Sequence, residues 1–271
     1  MQNSELAHRG LVLMGCGKMG SAMLEGWLAR GLPSSAVWVT DPGPSDWVKN
    51  QNTHLNAALP PHPAVVIVAV KPQMMAEALP SLRALGDGDT LFVSVAAGTT
   101  LATLEAALGA RTPIVRAMPN TPAAIGQGIT AIVGNAHVTE TQMQAAETLL
   151  SAVGAVVRLE TEEQIDAVTG VSGSGPAYVF HMIECMAAAA EAEGLAPDLA
   201  LQLARATVAG AGALAVQTGE DPAQLRRNVT SPNGTTQAGL DVLMDTDSGL
   251  PPLIRRTVAA AAARSRELAR G

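Results

Sequence analysis

Few short stretches restrict a fold as tightly as a strand that runs into spaced glycines and then a helix. Residues 11–20 read "LVLMGCGKMG". The apolar run Leu11 to Met14 meets Gly15-x-Gly17-x-x-Gly20, and a helical pattern follows from about Met19 to Arg30, closed by Gly31. The glycine spacing says little alone, but its place between a strand and a helix makes it informative. Gly15 permits a tight turn, Gly17 lets backbone approach a pyrophosphate, and Gly20 lets the helix pack on the strand. The helix start adds free N–H groups and the positive end of its dipole. Gly15, Cys16, Gly17, Lys18, Met19 and Gly20 are therefore the candidate contacts to a dinucleotide.

The pattern continues. "AVWVT" (36–40), "AVVIVAV" (64–70), "TLFVSVA" (90–96), "PIVRAMP" (113–119), "GITAIVG" (128–134) and "AVVRL" (155–159) read as strands, with a helix over 139–151. Unbroken apolar strands are expected where both faces of a parallel sheet are covered. Alternation of strand and helix predicts βαβ units and a parallel sheet. After about residue 160 the β-runs stop. Thr161 reads as an N-cap, and helices are expected near 176–193, 197–218, 221–228, 236–246 and 252–269. The expected fold is α/β: a Rossmann-type doubly wound sheet over 1–160, then an all-helical domain over 161–271. Residues 1–9 look mobile.

Composition narrows the function. With 48% apolar and 15% charged residues a packed core forms readily. The net charge of -7 offers no basic face for a nucleic acid. Two cysteines, Cys16 and Cys185, lack metal-ligand spacing and read as reduced thiols of a cytoplasmic protein. No metal site is expected. Continuous apolar runs are too short to cross a bilayer, so no membrane contact is expected either. The helical part carries Ala and Gly on all faces, which suits packing against a partner subunit; a compact monomeric bundle is the plainer alternative.

Further site candidates lie at strand ends. Asp41 ends the second strand about 20 residues past Gly20, where an acid accepts from a ribose 2′-OH and repels a 2′-phosphate. That favours NAD. Thr40 and Ser45 could instead bond a phosphate, so NAD and NADP both stay open. Lys71 precedes Pro72 at the carboxyl edge of the sheet, where ligands bind; a solvated lysine is the alternative. Asn120, between Pro119 and the Thr121-Pro122 pair, is held by backbone restriction, or is simply a turn residue. In the helical part, "VSGSGPAYVF" (171–180) and "TSPNGTTQAGL" (230–240) each read as a helix start with exposed N–H groups, with Thr235 or Thr236 capping the second. A small carboxylate is the natural ligand for such ends, and ordinary capping the alternative. His181 reads as a packed or interface residue. The three lysines, Lys18, Lys49 and Lys71, all lie in the first domain. Hydride transfer to a C=N bond suits that gap, since a protonated imine needs positioning more than acid catalysis.

The ordered set "GCGKMGSAM", "AVKPQ", "SVAAG", "RAMPNTPA", "GVSGSGPAYVF" and "VTSPNGTTQAGL" resembles the pyrroline-5-carboxylate reductase family, from about residue 10 to the C-terminus. The resemblance implies reduction of 1-pyrroline-5-carboxylate to L-proline by NADP(H) or NAD(H). It implies that Ala69, Val70, Lys71, Pro72, Ala96, Ala97, Asn120 and Asn228 lie along the cofactor. Ser231 and the N–H groups of Gly234, Thr235 and Thr236 would hold the substrate carboxylate, with the Thr236 hydroxyl near the ring nitrogen as orienter or proton donor. It further implies a homodimer through the helical domain, in which this loop meets the partner's cofactor, and assembly of five dimers. Two residues depart from the family pattern: Asn233 replaces a usual Gly, and Asp41 stands where relatives often carry a hydroxyl. Asn56 has no clear place. A hydroxyacid dehydrogenase of the same build and a non-catalytic nucleotide sensor are the rival readings.

Overall fold

The computed structural model describes residues 3–269. Its contacts divide the chain into two compact units, one running to Gly173 and resuming at Ala262, the other Ser174–Ala261. The sequence-based boundary at 160 follows the last β-run; the contact boundary follows the packing.

The first unit is built on one eight-stranded sheet. Helix α1 (Asn3–Arg9) leads into β1 (Leu11–Met14), then α2 (Lys18–Ala29) and β2 (Val37–Thr40). A short α3 (Asp46–Lys49) precedes β3 (His54–Leu55), β4 (Val65–Val68), α4 (Met75–Leu82), β5 (Leu91–Ser94), α5 (Leu101–Leu108) and β6 (Ile114–Met118). Then come β7 (Gly128–Gly134), α6 (Glu140–Leu150), β8 (Gly154–Arg158) and α7 (Gln164–Val168). The strand order is β3-β2-β1-β4-β5-β6-β7-β8. This is the doubly wound order about a switch point between β1 and β4, with two strands added.

Burial explains the apolar runs. Every residue of β1, β4 and β5 is buried. Their side chains alternate between two cores. Leu11, Leu13, Val65, Ile67 and Val93 pack on one side with Leu24 and Trp27 of α2, whose indole N–H donates to the Leu149 carbonyl at 2.8 Å. Val12, Met14, Val66, Val68 and Phe92 pack on the other with Leu79, Leu82 and Leu104. Period-two alternation with helices on both faces is why no polar face was visible in these strands.

The sheet departs from the expected all-parallel arrangement at one pair: β7 runs antiparallel to β6, with Met118 opposite Ala131. Only a single 3₁₀ turn, Thr121–Ile125, joins them, ending at Gly126 with φ +70. A parallel crossover needs a dozen or more residues, so the chain can only turn back. Strand β8 then returns parallel to β7 across α6, which opens with a capping box between Thr139 and Gln142.

Three local expectations are revised. Residues 3–9 form a helix rather than a mobile start, with Leu6 buried and Arg9 paired to Glu5 and Asp89; residues 1 and 2 lie outside the described residues. Thr161 is not an N-cap; its N–H and that of Glu160 donate to Gln164 Oε1, and α7 opens three residues later. The chain also makes a π turn at Thr169–Gly173.

The second unit contains α8 (Gly175–Ala192), α9 (Pro197–Thr218), α10 (Pro222–Asn228), α11 (Thr235–Leu243) and most of α12 (Leu250–Leu268). Prolines in their first turns and glycines at their ends set these boundaries close to those expected. Helix α9 corrects the membrane argument. It is 22 residues long and apolar enough to cross a bilayer by length and composition, with 11% of its most apolar window buried. Counting unbroken runs missed it because Gln, Arg and Thr interrupt the apolar residues.

Candidate functional site

The strand register brings the first set of candidates to one edge. Met14 lies beside Thr40 on one flank and Val68 on the other, and Val68 lies beside Ser94. Gly15, Asp41, Ala69 and Val95 therefore leave the sheet at one level, on its carboxyl side. The backbone stitches these exits together: Gly15 N–H donates to the Thr40 carbonyl at 2.8 Å, Ala69 N–H to Met14 at 2.7 Å, and Val95 N–H to Val68 at 3.0 Å.

Each glycine of the loop has its own reason. Gly15 sits at φ +89, and a Cβ there would stand 2.8 Å from the Ala69 carbonyl oxygen. A Cβ on Gly20 would stand 2.3 Å from the Gly15 carbonyl oxygen, so the α2 helix could not seat on β1. Gly17, the N-cap of α2, has nothing within 4 Å of where its Cβ would be, and no side chain caps the helix. An open approach to an uncapped helix N-terminus fits a pyrophosphate. Gly17 and Lys18 are exposed, Met19 is half-buried, and Cys16 and Gly20 are buried.

The Cys16 thiol lies 3.6 Å from the Ser21 hydroxyl, which donates to the Cys16 carbonyl at 2.8 Å. Burial pushes its pKa up, the Ser21 hydrogen bond opposes this, and the Asp41 charge adds to it. Cys16 is thus a neutral, packed thiol that contributes its backbone.

The remaining first-unit candidates differ in what they expose. Ala69 and Val70 are half-buried, Lys71 and Pro72 are exposed on a 3₁₀ turn, Ala96 is buried and Ala97 exposed. Asn120 spends its amide inside the fold: Oδ1 accepts from Ile129 N–H at 2.9 Å and Nδ2 donates to the Ser172 carbonyl at 3.2 Å. It braces the β6–β7 turn against the π turn.

Two groups were not visible in the sequence. Asn56 lies against Asp41, although nothing in the 41–64 connection indicated it. Arg116, on β6 and buried, donates to Glu162 Oε1 at 2.6 Å, and the same oxygen accepts Leu101 N–H at 2.8 Å. A carboxylate beyond the last strand thus holds the start of α5, just past the 96–97 loop.

In the second unit, the loop between α10 and α11 gathers the other candidates. Asn233 adopts φ +59, the left-handed conformation that a Gly would otherwise supply. Gly234, not Thr235 or Thr236, is the N-cap of α11, and it makes no side-chain cap bond. Its N–H donates to the Ser231 carbonyl at 3.0 Å, folding the turn over the helix start. The exposed Thr235 and Thr236 thus open a nine-residue helix whose first amides meet no capping side chain. Asn228, exposed at the end of α10, accepts from Gln224 Nε2 at 2.7 Å.

The earlier polar loop is different. Residues Thr169–Gly173 are already helical, Ser174 has helical dihedrals, and the Ser172 hydroxyl donates to the Val168 carbonyl. The expected second anion-receiving end is absent there because the chain is wound before Pro176 is reached. His181 is exposed, with Nδ1 2.9 Å from Glu184 and Nε2 3.6 Å from the Cys185 sulfur.

Comparison with known proteins adds an independent line. A family model described as pyrroline-5-carboxylate reductase dimerisation matches residues 162–268, and one described as coenzyme F420-dependent NADP oxidoreductase matches residues 10–98. Pyrroline-5-carboxylate reductase of Pseudomonas aeruginosa is 40% identical over 265 residues, which cover 96% of each chain. Among solved structures, a pyrroline-5-carboxylate reductase from Coxiella burnetii superposes with a TM-score of 0.90 at 34% identity, covering 96% of this chain and 98% of that one. The Plasmodium falciparum pyrroline carboxylate reductase with NADP bound gives 0.81 at 27% identity, covering 97% and 99%.

Proposed function

The chain belongs to the pyrroline-5-carboxylate reductase family, and on that premise we propose that it reduces 1-pyrroline-5-carboxylate to L-proline, the last step of proline biosynthesis. It is an NAD(P)-dependent oxidoreductase. A bound reduced nicotinamide supplies the hydride. Everything else is positioning by this chain's own residues.

The observation that carries this reading is the uncapped N-terminus of α11 under Ser231. A planar carboxylate on a small ring needs several converging donors and one sign of field. The Thr235 and Thr236 amides, the Ser231 hydroxyl and the helix dipole supply both, while the Gly234 amide, spent on the Ser231 carbonyl, holds the turn that presents them. Held there, the ring presents its nitrogen to a group close to the carboxylate, and the Thr236 hydroxyl is our choice as orienter or proton donor. The Gly15–Gly20 loop receives the pyrophosphate. Ala69, Val70, Lys71, Pro72, Ala96 and Ala97 line the course of the nucleotide along the sheet edge, Asn120 shapes that course through the turn it braces, and Asn228 is a further contact.

The exposed apolar side chains of α8 and α9, among them Phe180, Leu199 and Leu203, support association through the second unit. A homodimer is the basic assembly we propose, with five dimers forming a decamer. A second copy, rather than lipid, covers α9. With Cys16 and Cys185 both free thiols, the cytoplasm is the compartment we propose.

The test follows absorbance at 340 nm with 1-pyrroline-5-carboxylate and NADH or NADPH. Oxidation that depends on the imine is expected. Thr236→Ala is expected to lower kcat/KM about 10-fold or more, the loss of one hydrogen bond to a charged group. No imine-dependent oxidation by folded protein that binds nucleotide would sink the activity; an unchanged Thr236→Ala would remove that hydroxyl from the site.

A further inference from the structure

Asp41 is fixed to a degree that a loop acid at the end of a strand does not require. Both carboxylate oxygens accept backbone amides: Oδ2 from Cys16 N–H at 2.6 Å and Oδ1 from Gly43 N–H at 2.7 Å. Its backbone is clamped as well. Asp41 N–H donates to Asn56 Oδ1 at 2.9 Å, and Asn56 Nδ2 donates to the Asp41 carbonyl at 2.9 Å. Asn56 is itself placed by its N–H, which donates to Val39 at 2.8 Å, and it stands at φ +51. One side-chain amide therefore grips the N–H and the C=O of one residue, on the two peptide groups that flank its Cα, and that residue carries the carboxylate. The result is an anion seated on the amide of Cys16, in the middle of the glycine loop.

We propose that Asp41, positioned by Asn56, makes this enzyme select a dinucleotide whose adenosine ribose has two free hydroxyls, and reject the 2′-phosphorylated form. This rests on the nucleotide-binding reading of the first unit given above. The chemistry is one of acceptors and charge. A carboxylate has about four lone-pair sites and Asp41 spends two on amides, so it can still accept from ribose hydroxyls. A 2′-phosphate brings only acceptors and about two negative charges to the same place. The amide it would use at Cys16 is already taken by Asp41. The compensating cation is missing too. Between Arg30 and Lys71 the single Lys or Arg is Lys49, and its ammonium is bound to Asp46 Oδ1 at 2.8 Å. Two negative groups would meet at the end of β2, where the β2–β4 connection supplies no guanidinium and no free ammonium.

Asn56 acts on the nucleotide only through Asp41, so it is a positioning residue. A structural role alone would weaken both nucleotides equally; a positioning role changes their ratio.

The experiment titrates NADH and NADPH in parallel against the full-length protein and reads dissociation constants from quenching of tryptophan fluorescence, without imine. The wild type is expected to bind NADH about 10-fold or more tightly than NADPH. Asp41→Ser and the near-isosteric Asp41→Asn are expected to shrink that ratio about 10-fold, chiefly by tightening NADPH; the second variant stands in if the first does not fold. Asn56→Gly keeps the left-handed φ while removing both clamping bonds, and it is expected to shrink the ratio at an unchanged far-ultraviolet dichroism spectrum. Equal or tighter binding of NADPH by the wild type overturns the inference, as does a ratio untouched by the Asp41 variants. A ratio that Asn56→Gly leaves alone removes Asn56 from it. Binding of neither nucleotide overturns this inference and the cofactor reading together. Normal NADH selection without imine turnover leaves the inference standing and counts against the proposed reaction alone.

Discussion

Gly17 and Gly20 lie three positions apart and answer to different constraints. Gly20 is required by the protein itself, since its missing side chain is filled by the Gly15 carbonyl oxygen. Gly17 faces open space, so its missing side chain matters only to what approaches from outside. Gly20→Ala is therefore expected to destabilise the fold by about 1–3 kcal/mol through overpacking, seen as a lower Tm. Gly17→Ala, at φ -70 and extended ψ, is expected to cost little stability while weakening nucleotide binding about 10-fold or more. Equal losses of Tm in both variants would mean that Gly17 serves packing and not the pyrophosphate. Asp41 and Asn56 teach the converse lesson at this scale. The acid was legible by its offset from the glycine loop. Its partner was not, because two hydrogen bonds to the backbone of one residue leave no periodicity in the sequence.

Among the elements, those with a long apolar period were readable almost to the residue. Strand β7 matches its expected 128–134 span, and α9 its 197–218 span. Direction was not readable: nothing in the apolar run of β7 distinguishes parallel from antiparallel pairing, and only the shortness of the 119–127 connection decides it. The polar loop at 171–175 was misread because Gly and Ser suggest a chain break, while the backbone there winds as a π turn. The tie from Glu162 to β6 and α5 was also hidden, its members lying 46 and 61 residues away in sequence. It is testable by itself. Glu162→Ala leaves the Arg116 guanidinium, 6% exposed, without its carboxylate and frees the Leu101 amide. Urea unfolding is expected to show a loss of about 3 kcal/mol. A loss below about 0.5 kcal/mol would place this pair with ordinary surface pairs.

For the whole molecule, the exposed apolar residues of the second unit carry the expectation of association. Leu203 is 47% and Leu214 51% exposed on α9. Light scattering on the wild type is expected to give the mass of a dimer or a multiple of it. Leu203→Glu is expected to shift that mass toward the monomer, with imine reduction falling at least about 10-fold and nucleotide binding by the first unit retained. A monomeric wild type with full activity would leave the apolar faces without the role given them here.

The return of residues 262–269 to the first unit has a different kind of consequence. Ala262 and Ser265 are buried there, and the Ser265 hydroxyl donates to Asp166 at 2.6 Å. A ribosome delivers the chain from its N-terminus, and domains generally fold as they emerge. Here the nucleotide-binding unit begins first and finishes last. Its sheet can assemble early, but the piece that completes it is made only after the whole of the intervening helical unit. Folding of that unit is therefore completed only once the intervening helical unit has been synthesised and has emerged ahead of the closing segment.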